Sequence, residues 1–342
     1  MAELTSVEGR GEALLKVQNL KKYYPVRGGI FSREVASVKA VNDVSFDIFP
    51  GETVGLVGES GCGKSTLGRT LMRLEEPTAG SVFFEGEDLA KARGKDLFTL
   101  RRKVQMIFQD PYSSLNPRMT VDEIVREPLD IHKVGSMDQR RERVGELLTE
   151  VGLKPEVRER YPHEFSGGQR QRVGIARTLA LEPTLIVGDE PVSALDVSVQ
   201  AQVINLMVRL QRELGLTYLF ISHDLSVVEY ISDRIIIMYL GRIVEVGTKE
   251  TIFENPAHPY TRALISAAPI TNPRQRRERL PLEGEIPSAI TPPAGCAFHP
   301  RCPFAEARCS EAVPTLEPVG GEGAALQGPE RHEAACVRLG EI

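Results

Sequence analysis

The segment Gly58-Glu59-Ser60-Gly61-Cys62-Gly63-Lys64-Ser65-Thr66 concentrates the most chemistry in the chain. Four residues separate Gly58 from Gly63, and a lysine and a hydroxyl residue follow at once. Glycines allow successive backbone N–H groups to turn inward around phosphate oxygens. A helix opening at Lys64 adds about half a positive charge at the same place. Lys64 is spaced to reach the β- and γ-phosphates of a nucleotide, and Ser65 to set its hydroxyl on Mg²⁺. The competing reading is a glycine turn without a ligand. The context opposes it, because the run follows the apolar stretch TVGLVG (53–58) and opens the helical pattern KSTLGRTLMRL (64–74).

A nucleotide-bound metal needs an acid, and hydrolysis needs a base. LIVGDEP offers both: an apolar strand ending in Asp189, spaced to hold Mg²⁺ through its water shell, and Glu190, placed to orient or deprotonate water. Two further polar residues end apolar segments. Gln109 in MIFQDP brings an amide oxygen that can ligate Mg²⁺ or position water. His223 in FISHDL can contact a γ-phosphate and sense its loss. A second small turn, Ser166-Gly167-Gly168, precedes the arginine-rich helical pattern QRQRVGIARTLAL (169–181). A turn at a helix start can also bind phosphate, so the chain carries two candidate phosphate turns.

The elements that must position these residues follow from periodicity. TVGLVG (53–58), TLIVGD (184–189), TYLFIS (217–222) and RIIIMY (234–239) read as buried strands. They alternate with one-faced helical patterns, which predicts a three-layer α/β core with a largely parallel sheet. Residues 120–160 are charged, lack strand signals and carry helical spacing in RRERVGELLTEVGL (140–153), as a helical insertion would. After about residue 250 prolines become frequent, and an arginine cluster, RQRRER (274–279), reads as a solvated linker. The run GGEGAALQG (320–328) reads as a loop.

Bulk composition bounds the rest. Of 342 residues, 41% are hydrophobic, enough for a substantial core. The net charge of −5 gives no reason to expect a nucleic-acid partner. Apolar runs such as Ile235–Leu240 fall far short of the about 18–20 residues that cross a bilayer. The polar start MAELTSVEGRGE shows no signal peptide, so a soluble, cytosolic chain is expected. Of five cysteines, Cys62 lies in the glycine loop, while Cys296, Cys302, Cys309 and Cys336 cluster near the C-terminus. In a reducing compartment that cluster suggests a metal site more than disulfides.

The order phosphate loop, Gln109, SGGQ (166–169), Asp189-Glu190, SALD (193–196) and His223 resembles the nucleotide-binding subunit of an ATP-binding cassette (ABC) transporter. The likeness implies a P-loop NTPase fold: a RecA-like core with a helical subdomain at about 112–165 and an antiparallel β edge, spanning 12–250. Residues 251–342 would form a small cysteine-bearing extension. It implies an ATPase with Glu190, His223, Lys64 and Gln109 in catalytic positions. ATP would lie on Gly58–Thr66, with Mg²⁺ held by Ser65, Gln109 and Asp189, and adenine stacked on Tyr24 or on neighbouring Tyr23. Such subunits bind head to tail. Ser166, Gly167, Gly168, Gln169 and Asp196 would then serve the partner's nucleotide, which accounts for the second turn. Phe165 stands where the family's signature usually has Leu.

Two flanking stretches, QDPYSSLNPR (109–118) and ENPAHPYTRALISAAP (254–269), resemble the branch that imports dipeptides, oligopeptides and sometimes nickel. GESGCGKSTLGR (58–69) looks closest to that branch's second ATPase, often labelled F. The resemblance implies a heterodimer with another ABC ATPase, two membrane permeases, an external peptide-binding protein and a peripheral position on the cytoplasmic membrane face. Some members hold a [4Fe–4S] cluster on a comparable tail. The spacing Cys296-x5-Cys302-x6-Cys309-x26-Cys336 is open to that cluster, to zinc, or to free thiols. Cassette ATPases outside transport are the rival class. Their long coiled coils, zinc hooks or paired cassettes are not visible here.

Overall fold

Alternation of buried and exposed residues along Leu15–Gly28 makes it a strand with one face on the core, β1. It pairs antiparallel with β2 (Arg33–Ile48) on one side and β4 (Ala79–Phe84) on the other, and β5 (Glu87–Asp88) continues outside β4. Between them lie β3 (Thr53–Val57), buried along its whole length, and α1 (Lys64–Leu71). The computed structural model describes residues 11–28, 33–110, 112–267, 280, 282–320 and 328–342. The first ten residues, the arginine cluster at 274–279 and residues 321–327 of the glycine-rich run lie outside them. The chain divides into two compact units: the described residues up to Lys91 together with Asp224–Ile342, and Ala92–His223.

The second unit begins with α2 (Gly94–Lys103) and β6 (Val104–Ile107). The expected helical stretch follows as α3 (Val121–Ile131) and α4 (Met137–Glu150), which pack on each other and on α5 (Gly167–Leu179). Each of these three helices starts with a capping box, at Thr120, Ser136 and Ser166. Then come β7 (Leu185–Asp189), α6 (Val197–Leu214) and β8 (Thr217–Ser222). β6, β7 and β8 pair in parallel, with Ile107 opposite Gly188 and Asp189 opposite Ile221.

The chain returns to the first unit with α7 (Leu225–Ile231), β9 (Arg234–Tyr239), β10 (Arg242–Thr248), α8 (Lys249–Glu254) and α9 (Pro259–Ala267). β9 pairs in parallel with β3, and β10 folds back antiparallel on β9. The two-residue strands β11 (Glu317–Pro318) and β12 (Glu333–Ala334) extend this edge, with β12 on β10. The tail therefore joins the unit's sheet. Fully buried Glu245 on β10 reinforces the junction. Its carboxylate accepts from the main-chain N–H of Ala257 (2.7 Å) and His258 (2.9 Å), and pairs with His332 Nε2 at 2.8 Å. Among the described helices none is long and apolar enough to cross a membrane.

One buried ion pair fixes the base of the β3–β9 ladder. Arg234 and Glu52 are 1% and 0% exposed. Arg234 Nη1 donates to Glu52 Oε1 at 3.0 Å, and the same oxygen accepts from Phe49 N at 2.6 Å. Removing one member strands the other charge in low dielectric. Arg234→Met is therefore expected to cost about 3–5 kcal/mol in urea unfolding of the full chain, with part recovered in Glu52→Gln/Arg234→Met. A loss below about 1 kcal/mol, the level of a surface pair, would show the pair to be dispensable.

Candidate nucleotide site

The loop between β3 and α1 has a shape that only glycine permits at two positions. A Cβ on Gly58 would lie 2.1 Å from the Met238 carbonyl oxygen, and one on Gly63 2.0 Å from that of Ala40. Gly63 also has φ 107°, in the left-handed region. The loop backbone thus sits against carbonyls of β9 and β2 on one side. α1 opens with no side-chain cap, unlike the boxed helices of the other unit, and has no acid in its first turn. A phosphate is the group that such a helix start accepts. Lys64 is 5% exposed, and its ammonium donates to the carbonyls of Gly58 (2.7 Å) and Glu59 (3.0 Å). The Cys62 thiol is buried, which raises its pKa. Ser60 and Gly61 are exposed at the loop tip, and Ser65 and Thr66 lie on the first turn of α1. These residues fit a triphosphate.

Tyr23 and Tyr24 part company on β1. The Tyr23 hydroxyl donates to Asn42 Oδ1 at 2.7 Å. Tyr24 bonds Glu75, and the Lys22 ammonium sits 4.8 Å from its ring centre. Burial, and then the Glu75 carboxylate, raise the Tyr24 phenol.

In the second unit each candidate stands just past a parallel strand: Gln109 two residues beyond β6, Glu190 directly after β7, His223 directly after β8. The carboxyl ends of parallel strands are where ligands bind in such sheets. Three of the predicted residues meet in one polar group. Gln109 Nε2 donates to Glu190 Oε2 at 2.9 Å, and His223 Nδ1 lies 3.1 Å from Glu190 Oε1. Both carboxylate oxygens are thereby oriented. Glu190 adopts φ 47°, a conformation unfavourable for a residue with a side chain. Its N–H bonds the Ile221 carbonyl at 3.0 Å, and its own carbonyl accepts from Ser193 Oγ at 3.0 Å. Asp189, 1% exposed, ends β7 beside it.

The second glycine turn is a helix start of a different kind. Ser166 caps α5: its Oγ accepts from Gln169 N at 3.4 Å, and its N–H donates to Gln169 Oε1 at 3.0 Å. A Cβ on Gly168 would meet Val199 Cγ1 at 2.3 Å, which lets α5 begin close against α6. Asp196 caps α6, accepting from Val199 N at 3.0 Å and from the Ser198 hydroxyl at 2.7 Å. That hydroxyl, followed by the N–H bond, lowers its carboxyl pKa. Ser166, Gly167, Gly168, Gln169 and Asp196 are thus gathered at two adjoining helix starts. Phe165 fills the preceding position as a buried side chain.

The tail leaves one expectation unsupported. Cys296, Cys302, Cys309 and Cys336 line one cavity beside Phe298, but all four are free thiols. Among the described residues no group of three or more His, Cys, Asp or Glu is arranged to hold a metal ion. The cavity has about 20 Å³. Burial pushes the Cys296 thiol up to about 11 and raises Cys302 and Cys336. The arrangement supports neither [4Fe–4S] nor zinc. Two residues that sequence reasoning missed, Tyr260 and Arg301, reach the phosphate loop at Glu59. Tyr260 lies within ENPAHPYTRALISAAP (254–269), whose likeness to the importer branch carries no signal of this contact.

The chain is similar to known proteins. A family profile described as ABC transporter matches residues 41–193, and one described as oligopeptide/dipeptide transporter, C-terminal region, matches 244–309. A probable peptide ABC transporter ATP-binding protein of Sinorhizobium fredii is 55% identical over 96% of this chain and 93% of its own length. The oligopeptide transport ATP-binding protein AppF of Bacillus subtilis is 56% identical over 90% and 94%. The dipeptide transport ATP-binding protein DppF of Escherichia coli is 55% identical over 91% and 93%. Among solved structures, an ATP-binding cassette in a dimeric post-hydrolysis state with ADP and Pi aligns at TM-score 0.61 and 32% identity, covering 69% of this chain and 98% of that one. The chain is thus a member of the ABC transporter ATP-binding protein family, in its oligopeptide/dipeptide branch.

Proposed function

We propose that this chain hydrolyses ATP to drive peptide import, as one of two cassettes on a pair of membrane permeases supplied by an external peptide-binding protein. The observation that carries the hydrolytic part is Glu190 with one carboxylate oxygen bonded by Gln109 and the other 3.1 Å from His223. Likeness to peptide-transport ATP-binding proteins over about nine-tenths of the chain supports the cargo class. We assign residues 12–250 to the ATPase, the helices within 112–165 to transmission of its motion, and 251–342 to an importer-type extension. With permeases as partners, the chain would lie against the cytoplasmic face of the membrane.

Each residue's part follows from its chemistry. The loop N–H groups and the start of α1 would receive the phosphates. Lys64 would exchange the carbonyls of Gly58 and Glu59 for phosphate oxygens, at little desolvation cost because it is already buried. Ser65, Asp189 and Gln109 would hold Mg²⁺, which neutralises phosphate charge when bound. Glu190 would accept the proton of the attacking water. His223, with Nδ1 3.1 Å from Glu190 Oε1, would meet the γ-phosphate through Nε2. Tyr24 would stack the adenine.

The signature residues would grip the nucleotide of the opposite cassette, which we propose is a different chain. Such a bridge closes with ATP and opens once the γ-phosphate is gone. Moving the closed population from 1:99 to 99:1 takes about 5.5 kcal/mol of differential binding. Several charge-assisted hydrogen bonds to each nucleotide can supply that.

Two variants test the assignment in the full assembly. Lys64→Ala should abolish ATP hydrolysis; unchanged turnover would refute the phosphate-loop reading. Glu190→Gln should retain ATP binding, accumulate the closed dimer and slow hydrolysis by at least about 100-fold. Rapid hydrolysis by that variant would remove Glu190 from its role.

A further inference from the structure

Glu59, the second residue of the phosphate loop, is held at both main chain and side chain by residues from beyond position 250. Its N–H donates to Tyr260 Oη at 2.9 Å. Its carboxylate receives a two-pronged pair from Arg301, Nη1 to Oε2 at 2.7 Å and Nη2 to Oε1 at 3.1 Å. Neither holder has much freedom. Tyr260, on α9, is fully buried, and Arg301, ending the short turn His299–Arg301, is 8% exposed. Arg301 Nε also donates to the Glu283 carbonyl at 3.3 Å, and Nη1 to Tyr239 Oη at 3.4 Å. Tyr239, Tyr260 and Phe298 pack with ring centres 4.7–5.3 Å apart beneath this network.

Glu59 passes this constraint inward. Its carbonyl accepts from Lys64 Nζ at 3.0 Å and from Cys62 N at 3.2 Å. The same residue thus joins the C-terminal lobe outside the loop to the phosphate-binding lysine inside it. A carboxylate in this loop also has the wrong charge for a triphosphate. The guanidinium cancels that charge with a planar, nearly buried fork that lysine cannot reproduce.

We propose that Arg301 is a positioning residue for nucleotide binding: by neutralising Glu59 and, with Tyr260, fixing the loop backbone, the C-terminal lobe sets the affinity of the phosphate loop for ATP. This rests on the reading of Gly58–Thr66 as the nucleotide site. Arg301 acts through Glu59 and takes no part in the reacting atoms.

The test is steady-state ATP hydrolysis by the full assembly carrying Arg301→Gln, Arg301→Lys, Glu59→Gln/Arg301→Gln or Lys64→Ala. Arg301→Gln should raise KM for ATP about tenfold, as expected for loss of a charged hydrogen-bonded pair, with kcat changed less than about twofold. Arg301→Lys should recover part of the loss. The double variant should recover more than half of the logarithmic KM shift, because no lone carboxylate remains. Should Arg301→Gln fail to fold, the double variant and Arg301→Lys carry the test, with KM expected within about threefold of wild type and between wild type and tenfold, respectively. An unchanged KM in Arg301→Gln, or a double variant as impaired as the single one, would overturn the proposal. A fall in kcat alone, the mark of a smaller active fraction, would overturn it too. Hydrolysis surviving Lys64→Ala would instead sink the phosphate-loop reading beneath it.

Discussion

The carbonyl oxygens of Met238 and Ala40 leave no room for a side-chain carbon at Gly58 or Gly63. That steric limit holds the phosphate loop close against its own strands. The rest of the first unit can be understood from it. β3 and β9 are buried along their whole length and pair in parallel, so the loop springs from a rigid edge. The Glu52–Arg234 pair anchors the other end of that ladder. The tail, tied in through Glu245 and β12, brings Tyr260 and Arg301 to Glu59.

The second unit solves a different problem, the aiming of one carboxylate. Three parallel strands end together, and the residues just beyond their ends converge because strand register aligns them. Glu190 turns off β7 with a positive φ, a costly conformation that neighbouring hydrogen bonds stabilise. The start of α5 is arranged for a separate purpose: its capping box satisfies local N–H groups, while Gly167 and Gly168 keep the turn free of bulk.

Much of this was legible in the sequence because it is local. Uniform apolar runs gave the strands at 53–58, 184–189, 217–222 and 234–239 to within a residue or two, and the helical spacing at 140–153 falls largely on α4. The ordered motifs singled out Gln109, Glu190 and His223 before any geometry brought them together. What stayed hidden depends on distant partners. Tyr24 differs from Tyr23 through a bond to Glu75, 51 residues away, and Arg301 reaches Glu59 across 242 residues. The strands β11 and β12, two residues each, carry no period to read. The cysteine spacing left its alternatives open for a related reason: spacing brings the four thiols to one cavity, but among the described residues no group is arranged to hold a metal.

The central claim is that this chain supplies Lys64 to one nucleotide and Ser166–Gly168 to another. The most direct measurement is the structure of the full assembly with ATP and Mg²⁺, trapped in the Glu190→Gln variant. The account predicts one triphosphate on the loop Gly58–Thr66, and Ser166 and Gly168 within hydrogen-bond distance of a second triphosphate seated on the opposing subunit. It is contradicted if residues 166–168 lie against no nucleotide, or against the one that Lys64 holds.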